Sequence, residues 1–193
     1  MDEYEMILDE ARTEGVKVIE KYDMGHGRLK GLYCDHVIAL SDRLETYKER
    51  RCVLGEELGH YHMTCGDITD QSTTANRKQE YRARLWGYNR ILGLSSIVTA
   101  YQAHCENEYE AAEYLGVSEW YFKNLIQCFR SKYGTQPVPV GTCFIIFEPQ
   151  LLVLERDKYL SEMTIHAMND KNKTMAATIN GHFESLYNTK CNT

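Results

Sequence analysis

In the run Glu56-Glu57-Leu58-Gly59-His60 two adjacent carboxylates precede an imidazole, and on a helix that spacing gives them different tasks. Side chains four apart lie one above the other, so Glu56 and His60 can grip a single ion, while Glu57, about 100° around, faces the open side of that ion. This is the logic of the HExxH motif, in which the second carboxylate takes the proton of a water as it attacks a peptide carbonyl. Such an ion needs three protein ligands and an open fourth position. Glu80 is the choice for the third: it is the only carboxylate between Asp70 and Glu106 and stands near the start of the next helix. His62, Cys65 and Asp67 are alternative ligands or groups that support the ligands. His62, two residues from His60, points to nearly the opposite side if the helix continues.

Glu56 stands where the motif has histidine, so the expected set is Glu56, His60 and Glu80. Two carboxylates formally neutralise a divalent ion, which moves preference from zinc toward manganese or iron; zinc stays the first choice. ExxxH alone arises by chance in many chains. The stronger signal is a pair of glutamates inside a segment flanked by Leu, Val and Gly, because buried carboxylates without a partner are costly. His104, ahead of a helical segment, is a candidate oxyanion stabiliser, although an isolated histidine is more often structural or exposed. His26, between two glycines, reads as a loop residue.

The elements that must position these groups follow from periodicity and punctuation. Met6, Ile7 and Ala11 recur at near-helical spacing up to Gly15, giving a first helix over about 3–14. Val16–Ile19 and Leu32–Leu40 are β-rich runs separated by Gly25, Gly27 and Gly31, and imply a short antiparallel sheet. Ser41-Asp42 supplies cap-type residues, and 44–62 runs as the metal helix despite Gly55 and Gly59. Tyr81, Leu85, Tyr88, Ile91 and Leu92 mark an amphipathic helix over 76–94, its five basic residues reading as a solvated face. Residues 108–132 form two helices broken at Leu115-Gly116-Val117-Ser118. Pro137 and Pro139 close the helical region, and Cys143–Phe147 with Leu151–Leu154 reads as a late strand or hairpin closing a small sheet. The expected organisation is an α+β core over 1–154, with a helical subregion at 101–134, and a tail of unknown role over 155–193.

The chain has 193 residues, 43% of them apolar, enough to bury one core. No window approaches the roughly 18 consecutive apolar residues of a membrane span, and the start Met1-Asp2-Glu3-Tyr4-Glu5 is unlike a signal segment, so a cytoplasmic protein without membrane partners is expected. Seven scattered cysteines with no CxxC pair argue against a disulfide framework and against a thiolate zinc cluster. The net charge of -6 gives no general attraction to nucleic acid, and fourteen scattered tyrosines read better as core and rim residues than as stacking platforms.

The stretch Arg51-Cys52-Val53-Leu54-Gly55-Glu56-Glu57-Leu58-Gly59-His60-Tyr61-His62 resembles the active-site helix of ImmA/IrrE-family metallopeptidases, in particular phage-borne members that read EELGH instead of HELGH. Upstream, Gly31 to Leu40 is similar to the family's G-x-Y-x-D-x-x-I-x-L strand. Downstream, Gln79-Glu80-Tyr81-Arg82-Ala83-Arg84-Leu85-Trp86-Gly87 resembles its E-x-x-A-x-x-F-A helix, where the glutamate is the third ligand. Ala111–Ser118 through Lys132-Tyr133-Gly134 is similar to the family's distal helices, so the resemblance covers about 4–154. It implies a minimal zincin-like α+β fold and site-specific cleavage of a transcriptional repressor carried on a phage or mobile element in a bacterial host. The departures are Glu56 and Arg82, the latter in place of an acidic residue often found two positions after the ligand.

Two other classes compete. Ala112, Gly116, Val117 and Ser118 with Phe122 and Leu125 fit the buried positions of a helix-turn-helix, which would make a DNA-binding regulator. Its recognition helix, however, carries one lysine against one glutamate and aromatics suited to protein contacts, so direct DNA binding ranks low. The same helices suit packing on the core or docking a helix-turn-helix repressor. The third class is a metal-binding adaptor without activity.

Overall fold

The computed structural model describes residues 2–27, 29–66 and 68–169. Helix α1 (Glu3–Thr13) is capped by the Asp2 carboxylate, which accepts the Glu5 N–H at 2.8 Å, and it buries Tyr4, Ile7, Leu8 and Ala11. Three strands follow: β1 (Lys17–Tyr22), β2 (Gly31–Cys34) and β3 (Val37–Ser41), arranged β1-β3-β2. The first sheet departs from the all-antiparallel expectation. β2 and β3 form an antiparallel hairpin, but β1 runs parallel to β3, because the segment after β1 carries the chain past the place that β3 then fills. The hairpin turn is Asp35-His36, with φ of 45° and 58°. A two-residue hairpin turn of the I′ type needs two left-handed residues, and Asp-His lacks the glycine that usually announces one, so 32–40 reads as a single run.

Helix α2 (Tyr47–Met63) opens on a capping box in which Thr46 and Glu49 satisfy each other's backbone N–H groups. Helix α3 (Thr74–Ile91) starts at the Thr73 cap and crosses α2 closely. The crossing is made of small residues one turn apart on each helix. A methyl added at Gly59 would strike the Ala83 carbonyl oxygen, and one added at Gly87 would lie 2.6 Å from the Gly55 carbonyl oxygen. The glycines that weaken the sequence's helical reading are therefore what lets the two site helices touch backbone to backbone. Gly59→Ala has to spread the helices, an overpacking change costing roughly 1–3 kcal/mol. We expect a melting temperature lower by about 3–10 °C, read by thermal unfolding, because 1 kcal/mol shifts a domain of this size by about 2–4 °C.

Helix α4 (Leu94–Gln102) was not legible as a separate element; α5 (Glu108–Tyr114) and α6 (Glu119–Tyr133) break where Gly116 and Ser118 require. Strands β4 (Val138–Val140), β5 (Cys143–Ile146) and β6 (Leu152–Glu155) form a second small antiparallel sheet, in which the late hairpin expected from 143–154 is β5–β6 and β4 is added before it. Helix α7 (Arg156–Asn169) occupies the first part of the tail, and 170–193 lies outside the described residues. One cluster of buried apolar residues runs from Tyr4 in α1 to Val153 in β6, with Tyr121, Phe122, Leu125 and Phe129 of α6 inside it. The buried Arg51 of α2 ties the parts together, donating to the carbonyls of Ile91, Leu115 and Gly116 and pairing with Glu3. No helix of the described residues is long and apolar enough to cross a membrane.

Candidate metal centre

A cleft of about 1180 Å³ lies between β2, α2 and α3, and Glu56, Glu57, His60, Cys65, Glu80 and Arg84 line it, with Trp120 reaching in from α6. The α2–α3 crossing sets the central contact: His60 Nε2 and Glu80 Oε2 stand 3.5 Å apart. The other Glu80 oxygen, Oε1, accepts a hydrogen bond from Arg84 Nε at 2.6 Å, one turn along α3. A further turn on, the Tyr88 hydroxyl donates to Glu56 Oε1 at 3.2 Å. Glu80, Arg84 and Tyr88 thus form a row on α3 that faces Glu56 and His60 on α2.

Glu57 lies on the β2 side of α2. The Tyr33 backbone N–H donates to its carboxylate, and Gly31 leaves it room: a methyl at Gly31 would lie 2.6 Å from Glu57 Oε1 and 2.5 Å from Val53 Cγ1. Burial, then the charge of Glu56, pushes the Glu57 carboxyl up to about 8; the Tyr33 N–H pulls the other way and Glu80 adds to the rise. Glu56 is also raised, mainly by burial, against the opposing pull of the Arg84 guanidinium and the Tyr88 hydroxyl. Burial lowers His60 and so favours the neutral imidazole that ligates metals; Glu80 pulls the other way and Arg84 adds to the lowering.

The other site expectations fall as follows. Cys65 lines the cleft but is exposed, and its backbone N–H donates to Gln79 Oε1 at 2.8 Å. His62 faces away, paired with Glu14 at 3.1 Å and resting on Trp86. Asp67 lies outside the described residues. His104 is not brought to the cleft: it is exposed in the turn that ends α4, with φ of 59° and its N–H bonded to the Tyr101 carbonyl. That corrects its reading as an oxyanion stabiliser, since the turn aims the chain toward α5. The sequence reading missed Arg84 and Tyr88 as site residues. Arg84 was grouped with the solvated basic face, and its position four after Glu80 was the signal that could have singled it out.

Among the described residues, no three His, Cys, Asp or Glu side chains converge closely enough to hold an ion as they are placed. His60 and Glu80 have the separation that two ligands of one ion need, whereas Glu56 leans on Tyr88. The donor set nevertheless fits a divalent cation in its chemistry. It offers a neutral imidazole, the Glu80 carboxylate beside it, and two further carboxylates, Glu56 and Glu57, whose burial disfavours their charged forms in the absence of a compensating cation.

Residues 11–123 match the peptidase M78 family, described as the IrrE N-terminal-like domain. The chain belongs to this family. The matched span includes both sheet-one hairpin strands, helix α2, the whole of α3 and the first residues of α6. No curated protein and no solved structure gives a significant match. For an M78-family chain a metallopeptidase activity, a protein substrate and a metal cofactor are the family-level expectations.

Proposed function

We propose that this chain is a zinc-dependent endopeptidase that cleaves a helix-turn-helix repressor of a phage or mobile element. The observation that carries the reading is the meeting of His60 and Glu80 at 3.5 Å beside a protected Glu57 in a large cleft. Glu56, His60 and Glu80 are the residues that would hold the ion; when bound, the ion supplies Lewis acidity, polarising the scissile carbonyl and easing removal of a proton from water. Glu57 is the general base. Burial, and then the charge of Glu56, raises its proton affinity, which suits a group that must take a proton from the attacking water and give it to the leaving amine.

The edge of the first sheet offers a way to orient the substrate. β2 is an outer strand, and the pairing of Ser41 N–H with the Lys30 carbonyl makes Gly31 and Tyr33 the residues whose backbone groups face away from β3. Tyr33 already points its N–H at Glu57, so an extended peptide along this edge would lie over the base. Lys30, held 4.3 Å over the Trp120 ring, and Arg84 place two cations at the margins of the acidic cleft.

Support for a protein partner over duplex DNA comes from α6. Its Tyr121 and Phe122 are buried in the core, and at its N-terminal end, where a recognition helix meets base edges, the exposed Lys123 is paired with Glu119 at 2.5 Å. The test is to incubate the metal-loaded protein with the repressor encoded beside it and with an unbiased peptide library, with and without chelator. Chelator-sensitive cleavage is expected. Metal binding without any cleavage would favour the inactive adaptor, and tight sequence-selective DNA binding would favour the regulator.

A further inference from the structure

We propose that Arg84 and Tyr88 are positioning residues that leave each carboxylate of a two-carboxylate metal centre a single oxygen for the ion, and so make the centre four-coordinate. The inference rests on the metal site proposed above. A carboxylate can bind a metal through one oxygen or two, and cations that take six or more oxygen ligands exploit both, whereas zinc is content with four donors in all. A centre in which glutamate replaces one histidine therefore has a problem of its own: two carboxylates can supply up to four oxygens where two donors are wanted.

The α3 row addresses this on both sides. Glu80 Oε1 is occupied by Arg84 at 2.6 Å, and only Oε2 is turned to His60. Glu56 Oε1 is occupied by the Tyr88 hydroxyl at 3.2 Å, and its other oxygen has no hydrogen-bond partner among the described residues. Arg84 and Tyr88 stand four and eight residues after Glu80, so one helical stripe delivers the ligand and both restraints. The supports differ in kind. Arg84 is about half exposed, so its bond to Glu80 is not a by-product of core packing. Tyr88 is buried against Tyr121, whose own hydroxyl is fixed on the Gly87 carbonyl at 3.2 Å, so the Tyr88 ring has little freedom to leave Glu56. Arg84 also returns a positive charge to a centre that the exchange of histidine for glutamate made more negative.

The experiment uses Co²⁺ as the probe, because its visible absorption is intense in four-coordinate sites and weak in six-coordinate ones. Spectra of the Co²⁺-loaded full chain are compared for wild type, Arg84→Gln, Arg84→Lys and Tyr88→Phe, with zinc-against-manganese competition measured alongside and circular dichroism to check the fold. Wild type should give the intense four-coordinate spectrum. Arg84→Gln and Tyr88→Phe should weaken it and move the metal preference toward manganese by about 10–100-fold, the usual effect of losing a group that orients a ligand. Arg84→Lys should restore part of the spectrum, since an amine can still hold Glu80 Oε1. A weak six-coordinate spectrum from the wild type, or unchanged spectra and preference in folded Gln and Phe variants, overturns the inference while leaving metal binding intact. No Co²⁺ uptake by the wild type overturns the metal site itself, and the inference with it.

Discussion

Glu57→Gln is expected to lower cleavage by roughly 10²–10⁴-fold while the protein keeps its full complement of metal, because the amide preserves shape and hydrogen bonding but cannot accept the proton. The structure adds a second signature that a merely structural role would not give. Glu57 titrates near 8 in the folded protein, well above the ordinary glutamate range in which it titrates when unfolded. A carboxyl raised on folding holds its proton more tightly in the native state, so its contribution to stability is fully present below the unfolded value and is lost as pH rises through about 8. Metal-free wild type should accordingly lose melting temperature between about pH 5 and 8, and Glu57→Gln should flatten that slope and melt higher at pH 8, by at least about 3 °C. Both quantities come from one variant, cleavage from the loaded protein and pH-dependent melting from the metal-free one. Normal cleavage by Glu57→Gln would remove the general-base role. A flat wild-type melting profile would mean that burial and Glu56 do not burden this carboxylate.

How much of this could be read from the sequence depends on the range of the interaction involved. The α2 segment was legible because ExxxH is local, although its cap is not at Ser41-Asp42: Ser41 ends β3 and the cap is Thr46 with Glu49. The break between α5 and α6 was legible too, where Gly116 ends one helix and Ser118 starts the next. The resemblance of 51–62 and 79–87 to the ImmA/IrrE family brought the two site helices together before any contact between them was visible, and the family match over 11–123 agrees with it. Direction within the first sheet was not legible. Whether β1 pairs parallel or antiparallel depends on the path of 23–30 through space, and the glycines in that path are compatible with either. Nor did periodicity foretell the meaning of Gly55, Gly59 and Gly87: in sequence they read as weak helix formers, and only the closeness of α3 turns them into a contact surface. Arg84 was hidden for the opposite reason. A basic residue on a helix rich in arginine looks solvated until its partner one turn away is seen to share an oxygen with the site.

The same shared oxygen makes Glu80→Ala the most demanding test of the ligand set. Removing Glu80 takes away the carboxylate paired with His60 and at the same time frees the Arg84 guanidinium beside the cleft, so the remaining donors face a cation with one ligand fewer and one less negative charge against Arg84. Zinc affinity, read by calorimetric titration against a chelator, should fall by more than the roughly 10–100-fold that follows loss of a supporting group. The fold should hardly notice. Glu80 is a partly exposed polar residue, and substitutions of such side chains usually change stability within about 0.5 kcal/mol, so the metal-free melting temperature should shift by no more than about 2 °C. Glu80→Gln separates the two effects, since its amide oxygen can still ligate weakly while the charge that balances Arg84 is gone; its affinity should fall between wild type and Glu80→Ala. Undiminished zinc binding by Glu80→Ala would move the third ligand to Cys65, which lines the same cleft, or to Asp67, and Cys65→Ser and Asp67→Asn would then divide those two.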